Sequence, residues 1–141
     1  MVAYFDASAF VKLAITETHT DEVRAAWDSA ERRLSSQLLY AEARAAVARA
    51  VRMRRLAGPD ETAARELTEL LWGGVERVAV TGPLVQRAGD LAEAHALRGF
   101  DAVHLASLEE VADEETVLVA TDAGLIGAAA AMGFLTLPLA S

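Results

Sequence analysis

Four carboxylates are placed where they could act together: Asp6, Glu42, Asp101 and Asp122. Asp6 directly follows a run of β-favouring residues, Val2 to Phe5, and directly precedes a helix-like segment, Ala7 to Ala14. A carboxylate so placed stands at the carboxyl end of a strand, the edge of an open parallel sheet at which ligands bind. Asp101 and Asp122 also stand where helices are expected to begin. All three have a plain structural role open to them, because aspartate favours helix starts and a cap is worth about 1 kcal/mol. Glu42 has no such role. At about 100° per residue its expected helix gathers Leu38, Leu39, Ala45 and Ala46 around it, so the spacing puts a charge within a core-facing stripe. Burying a lone carboxylate is costly, which marks Glu42 as a site residue.

The elements needed to position these groups are legible in chain order. Thr18 to Asp21 reads as a cap before an amphipathic helix to about Ala30, with Val23 and Trp27 on its apolar side, and Arg32 to Ser35 as a brief second strand. Ser36 is expected to cap a long helix from Gln37 to about Leu56, ended by Gly58-Pro59. A helix from Pro59 to Trp72, a break at Gly73-Gly74 and a strand from Val75 to Val80 follow. Gly82-Pro83 opens a helix to about Leu97, Arg98-Gly-Phe reads as a tight turn, and Asp101 opens a helix to Ala112. The acidic patch from Glu109 to Glu115 reads as a solvated bend. Thr116 to Ala120 is a continuous apolar strand of the buried parallel kind, Asp122 opens a helix to Met132, and Phe134 to Leu137 is a last short strand. Strands separated by helices throughout predict one α/β domain with a parallel sheet and right-handed crossovers. If the first strand and the strand ending at Ala120 are neighbours across the switch point, Asp6 and Asp122 face each other.

Carboxylates packed in one crevice raise one another's pKa unless a cation neutralises them. An all-oxygen site with no cysteine suits Mg²⁺ or Mn²⁺, ions that keep several waters and act on phosphate esters. Ser8, two residues past Asp6, can orient a carboxylate or a water, or bond the backbone of its own first turn. Arg49, seven residues and about 10 Å beyond Glu42 along its helix, is a candidate for a substrate phosphate or a rim arginine paired with an acidic neighbour. His104, one turn after Asp101 in a stripe with Leu105 and Leu108, reads as a packed core histidine.

Composition narrows the partners. At 141 residues with 53% hydrophobic content the chain can bury a sizeable core. No apolar run reaches the roughly 18 residues of a membrane span, Asp6 and Lys12 interrupt the N-terminal apolar stretch, and there is no cysteine framework, so a cytoplasmic protein without membrane contact is expected. With 21 acidic against 13 basic residues the net charge is −8, so nucleic acid is not drawn in by bulk attraction and a phosphate substrate needs cations or local arginines.

Four segments carry a resemblance: Tyr4 to Leu13 (YFDASAFVKL), Ser36 to Arg44 (SQLLYAEAR), Leu97 to Ser107 (LRGFDAVHLAS) and Ala120 to Leu125 (ATDAGL). In content and order they resemble the signature blocks of PIN-domain ribonucleases, particularly the VapC toxins of type II toxin–antitoxin pairs. The resemblance implies a three-layer α/β/α fold over residues 1–141 with a five-stranded parallel sheet in the order 3-2-1-4-5. It implies that Asp6, Glu42, Asp101 and Asp122 are the catalytic, Mg²⁺-binding residues of an endoribonuclease, and that the protein is a homodimer with a cognate antitoxin that blocks the site. Charge alone suggests that such an inhibitor presents an arginine to the carboxylates. Family members often carry a hydroxyl residue two positions before the last aspartate. Here that position is Ala120, and the adjacent Thr121 is carried over only as a supporting residue.

Other phosphate chemistries fit less well. A receiver-type signalling domain needs paired acids after its first strand and a lysine after a late strand, whereas Lys12 is the only lysine. An aspartate-nucleophile phosphatase wants a second aspartate where Ser8 stands. A PIN-like module kept for binding alone tends to lose one acid, and all four are present. A stand-alone PIN nuclease without an antitoxin differs only in genetic context.

Overall fold

The computed structural model describes residues 1–139. The single domain expected over residues 1–141 thus extends two residues beyond the described ones. In chain order the elements are β1 (Val2–Phe5), α1 (Ala7–Ala14), α2 (Thr20–Ser29), β2 (Arg32–Ser36), α3 (Leu39–Arg52), α4 (Pro59–Trp72), β3 (Glu76–Val78), α5 (Gly82–His95), α6 (Gly99–Val111), β4 (Thr116–Val119), α7 (Ala123–Ala131) and β5 (Leu135–Thr136). The strands form one parallel sheet in the order β3-β2-β1-β4-β5, the order that the resemblance implies. The central strand β1 is buried along its whole length, which is why it reads as VAYF rather than as an alternating strand.

The alternation of side chains along β1 divides the core between the two faces of the sheet. Ala3 and Phe5 pack with Phe10, Leu13, Val23, Trp27 and Leu39 from α1, α2 and the start of α3. Val2 and Tyr4 pack with Leu84, Leu91, Leu105, Leu108 and Leu125 from α5, α6 and α7. A smaller cluster, Ile15, Val47, Ala50 and Ala64, joins α3 and α4 to the end of α1. Trp27 anchors the first face, with its ring 5.2 Å from Phe5 and 6.0 Å from Phe10, centroid to centroid, and the Arg33 guanidinium 4.7 Å over it. No helix among the described residues is long and apolar enough to cross a membrane.

Several boundaries differ from the sequence-based expectation, each for a local reason. α3 begins at Leu39 rather than Gln37, because Ser36 still pairs with Val78 in the sheet and the Gln37 N–H donates to the Val78 carbonyl at 2.9 Å. The Ser36 hydroxyl accepts from the Leu38 N–H within this turn, so it supports the turn rather than capping the helix proper. The same helix stops at Arg52, where Arg54 turns into the left-handed region at φ 60. Arg98-Gly-Phe is not a separate turn: Arg98 stands at the N-cap position and Gly99 and Phe100 begin α6. Glu109 and Glu110 consequently lie in α6, leaving Asp113 to Glu115 as the bend.

Ala96 closes α5 in the left-handed conformation, at φ 53, with its N–H returning to the Ala92 carbonyl. An L side chain there costs about 1 kcal/mol that glycine avoids. Ala96→Gly is therefore expected to raise stability by roughly 0.5–1 kcal/mol, read as a shift of a degree or more in Tm; an unchanged or lower Tm would contradict the strain.

Candidate active site

Parallel pairing sets the carboxyl ends of β1 and β4 side by side, in register from Val2↔Thr116 to Phe5↔Val119. Asp6 and Asp122 each leave the sheet just beyond these ends and open a helix. The Asp6 carboxylate accepts from the Ala9 N–H at 3.0 Å and that of Asp122 from the Leu125 N–H at 2.9 Å. Both aspartates are caps and crevice residues at once, so the plain role and the chemical one coexist. A Cβ on Gly124 would stand 3.2 Å from Asp122 Oδ2, a tight approach that glycine relieves.

Glu42 and Asp101 complete the ring from the two helical layers. Together with Asp6, Asp122, Ser8, Thr121, His104 and Arg98 they line a cavity of about 320 Å³. Asp101 does not open its helix as expected; it is the third residue of α6, and its carboxylate pairs with Arg98 instead of a backbone amide. Glu42 also departs from expectation. The buried stripe of α3 is Leu39, Ala43, Val47 and Ala50, so Glu42 lies at its edge and Ala45 is exposed. The i, i+4, i+8, i+11 spacing of those four carries the core contact, and the neighbouring edge turns Glu42 into the crevice rather than the core.

Glu42 is held by His104, one of the most deeply buried polar residues, at 2.6 Å from Nε2 to Oε1. A carboxylate only accepts, so Nε2 carries the hydrogen and donates it. The other ring nitrogen, Nδ1, lies 2.9 Å from the Tyr4 hydroxyl, and burial, which raises the Tyr4 pKa, keeps that hydroxyl protonated. His104 is the core histidine that its stripe predicts, and it is also the link that orients Glu42.

Asp6 is 2% exposed, and among the described residues no basic side chain is bonded to it. Burial pushes its pKa up from 3.8 to about 6, against the field of His104, the Ala9 N–H and the Ser8 hydroxyl, while the Asp101 charge adds a smaller upward push. The Ser8 hydroxyl lies 2.8 and 2.9 Å from the two Asp6 oxygens and donates to the carboxylate, and its oxygen accepts from the Thr121 N–H at 3.1 Å. Ser8 thus orients the carboxylate rather than its own backbone. Thr121 contributes through its main chain. Arg49 is placed apart from the acidic cavity, in an adjoining trough of about 630 Å³ that it shares with Lys12, Arg55, Arg98 and Glu42. Among the described residues it meets no carboxylate and only touches Met53 Sδ at 3.4 Å.

Arg98 is the residue that sequence reasoning missed. Its guanidinium donates to Asp101 Oδ2 at 2.9 Å and to Asp122 Oδ1 at 3.3 Å, bridging two elements. Among the described residues no three carboxylate or imidazole groups stand as a ready-made metal cage. The donor set nevertheless fits a hard divalent ion, since Mg²⁺ retains several waters and takes only one or two carboxylates directly. A buried carboxylate without a cation, Asp6, beside two half-buried ones and Glu42, is the oxygen-rich ring that such an ion neutralises.

The chain matches the PIN domain family over residues 3–129. It is 44% identical over 137 residues to Ribonuclease VapC45 of Mycobacterium tuberculosis (strain CDC 1551 / Oshkosh), a match covering 97% of this chain and 95% of that protein. Among solved structures, PAE2754 from Pyrobaculum aerophilum aligns at TM-score 0.67 and 20% identity, covering 96% of this chain and 83% of that one. VapBC2 from Rickettsia felis, bound to a DNA fragment from its promoter, aligns at TM-score 0.62 and 11% identity over 97% and 98% of the respective chains. At those identities the structures speak for the fold. This chain belongs to the PIN domain family, and within it to the VapC-type members.

The raised pKa of Asp6 has a stability consequence. A carboxyl whose folded pKa exceeds its unfolded one stabilises the fold below about pH 3.8, and that contribution is lost as pH rises through 6. In EDTA at pH 7.5 the ionised Asp6 therefore destabilises the metal-free protein, and Asp6→Asn is expected to melt a few degrees higher than the parent, with the gap closing towards pH 4. Melting curves from pH 4 to 8 check this, and an Asn variant that melts at or below the parent at pH 7.5 would contradict it.

Proposed function

We propose that this chain is a Mg²⁺-dependent endoribonuclease, the toxin of a type II toxin–antitoxin pair, with Asp6, Glu42, Asp101 and Asp122 as its catalytic and metal-holding residues and Mn²⁺ as an alternative ion. The observation that carries the proposal is the convergence of these four carboxylates, from β1, α3, α6 and the end of β4, on one cavity at the carboxyl edge of the sheet. A divalent ion bound there supplies a polarised phosphoryl oxygen and a water of lowered pKa.

The chain's own residues do the positioning. Ser8 and the Ala9 N–H fix the Asp6 carboxylate, and His104 fixes Glu42. The helix caps hold Asp6 and Asp122 in place without drawing on the packing of the core. Arg49 and its basic neighbours in the trough offer an RNA strand local positive charge that an acidic protein otherwise lacks. The reading extends to a single PIN domain over the whole chain, a homodimer in the cytoplasm, and a cognate antitoxin that occupies the crevice. The identity to a ribonuclease named VapC and the likeness in fold to VapBC2 support the activity and the antitoxin partner.

Cleavage of a labelled RNA by the purified protein, with Mg²⁺ and with EDTA, is the direct test. Glu42→Gln and Asp101→Asn are expected to abolish cleavage while leaving the thermal melt cooperative. His104→Gln, which keeps a polar side chain but misplaces the donor to Glu42, should lower the rate by about 10- to 100-fold. Cleavage at the parent rate by Glu42→Gln in Mg²⁺ would remove that residue from the site, and EDTA-resistant cleavage would remove the metal.

A further inference from the structure

Arg98 is built unlike the other surface arginines. Its side chain is 78% exposed, yet it forks between Asp101, 15% exposed, and Asp122, 32% exposed, two carboxylates that come from different elements. The other exposed pairs of this chain, such as Arg32 with Glu76 or Arg87 with Glu109, join a cation to a single carboxylate away from the crevice. Here one monovalent cation serves two acids that belong to the proposed metal site.

Two further features point the same way. With the fork in place, the described residues form no ready-made cage of three metal-binding groups, although four carboxylates line the cavity. Arg98 also lines the neighbouring trough with Arg49 and Phe100, and a third hollow with Glu42 and Asp101, so a rotated guanidinium has open space at the rim of the crevice. The side chain is long, solvated and tied at only one end.

We propose that Arg98 is an internal counter-cation that stands in for the divalent ion between Asp101 and Asp122, and that the ion displaces its guanidinium into the trough. The inference rests on the metal-site reading given above. It accounts for how a crevice of repelling carboxylates stays assembled between ions. It also sets a cost on metal binding, because the ion must break two charge-assisted hydrogen bonds before it takes the same oxygens. Once displaced, the guanidinium lies where the backbone of an incoming RNA would pass, beside Arg49, and offers a fork to a phosphate oxygen.

The test measures Mn²⁺ binding to the purified full chain by electron paramagnetic resonance of the free ion, for the parent, Arg98→Ala and Arg98→Met. Both variants keep a cooperative melt because the side chain is exposed, and both are expected to bind Mn²⁺ about 3- to 10-fold more tightly than the parent, the size set by releasing two exposed ion pairs. In parallel, Mg²⁺ titration of the parent is followed at the Arg98 Nε–Hε resonance, which should move towards the position of a free arginine in step with occupancy. Equal or weaker Mn²⁺ binding in both variants, or an Arg98 resonance that stays in place while Mg²⁺ binds, would overturn the proposal and leave the metal site standing. A parent chain that binds no Mn²⁺ would instead overturn the metal-site reading, and the proposal with it.

Discussion

Repulsion among carboxylates at one sheet edge is the constraint to which the rest of this structure responds. Asp6, Asp101, Asp122 and Glu42 share one cavity, and Asp6 is shut away from water within it. Left alone, such a set raises its own pKa values or pushes its members apart. Each acid is met by a different device: a backbone amide and a serine hydroxyl for Asp6, a buried imidazole for Glu42, an arginine fork for Asp101, and that fork plus a cap for Asp122. Burial raises the pKa of Asp6 to about 6, and among the described residues no basic side chain bonds to its carboxylate. The devices are local, but the sheet topology that brings their owners together is not. Parallel pairing of β1 with β4 is what turns two separate helix caps into neighbours.

Much of this arrangement is legible in the sequence because it is written in local patterns. A β-run driving into an aspartate and then a helix, repeated at Phe5-Asp6 and near Ala120-Asp122, places both acids at strand ends without any knowledge of packing. The buried VAYF and TVLV strands and the helices between them fix the parallel class, and right-handed crossovers limit the strand order. What is not legible depends on contacts between elements. Periodicity alone puts Glu42 on a core stripe, whereas the stripe is set by Leu39, Ala43, Val47 and Ala50, and the register of α3 follows from the pairing of Ser36 with Val78 across the sheet. His104 offers no local sign that its ring spans Tyr4 and Glu42, 100 residues and 62 residues away in sequence. Arg98 reads as part of a turn until α6 is seen to begin at Gly99, which points its side chain along the first turn towards Asp101.

The charge distribution is compatible with the RNA substrate proposed for this acidic protein. A net charge of −8 works against RNA at long range, yet Lys12, Arg49, Arg55 and Arg98 gather along a trough that adjoins the acidic cavity. Lys12 and Arg55 both lean on Glu17 and Arg98 is held by Asp101 and Asp122, which leaves Arg49 as the cation of the trough without a carboxylate partner among the described residues. Attraction is thereby confined to the approach to the site, and the repelling remainder of the surface disfavours unproductive binding elsewhere.

The central claim is that the four carboxylates form one divalent-ion site. Crystals grown in manganese chloride, with diffraction recorded at a wavelength where manganese scatters anomalously, test it most directly. The account predicts an anomalous peak enclosed by the carboxylates of Asp6, Asp101 and Asp122, within reach of Glu42 through water. A crevice without such a peak at saturating manganese, or manganese bound only at other surface acids, would contradict it.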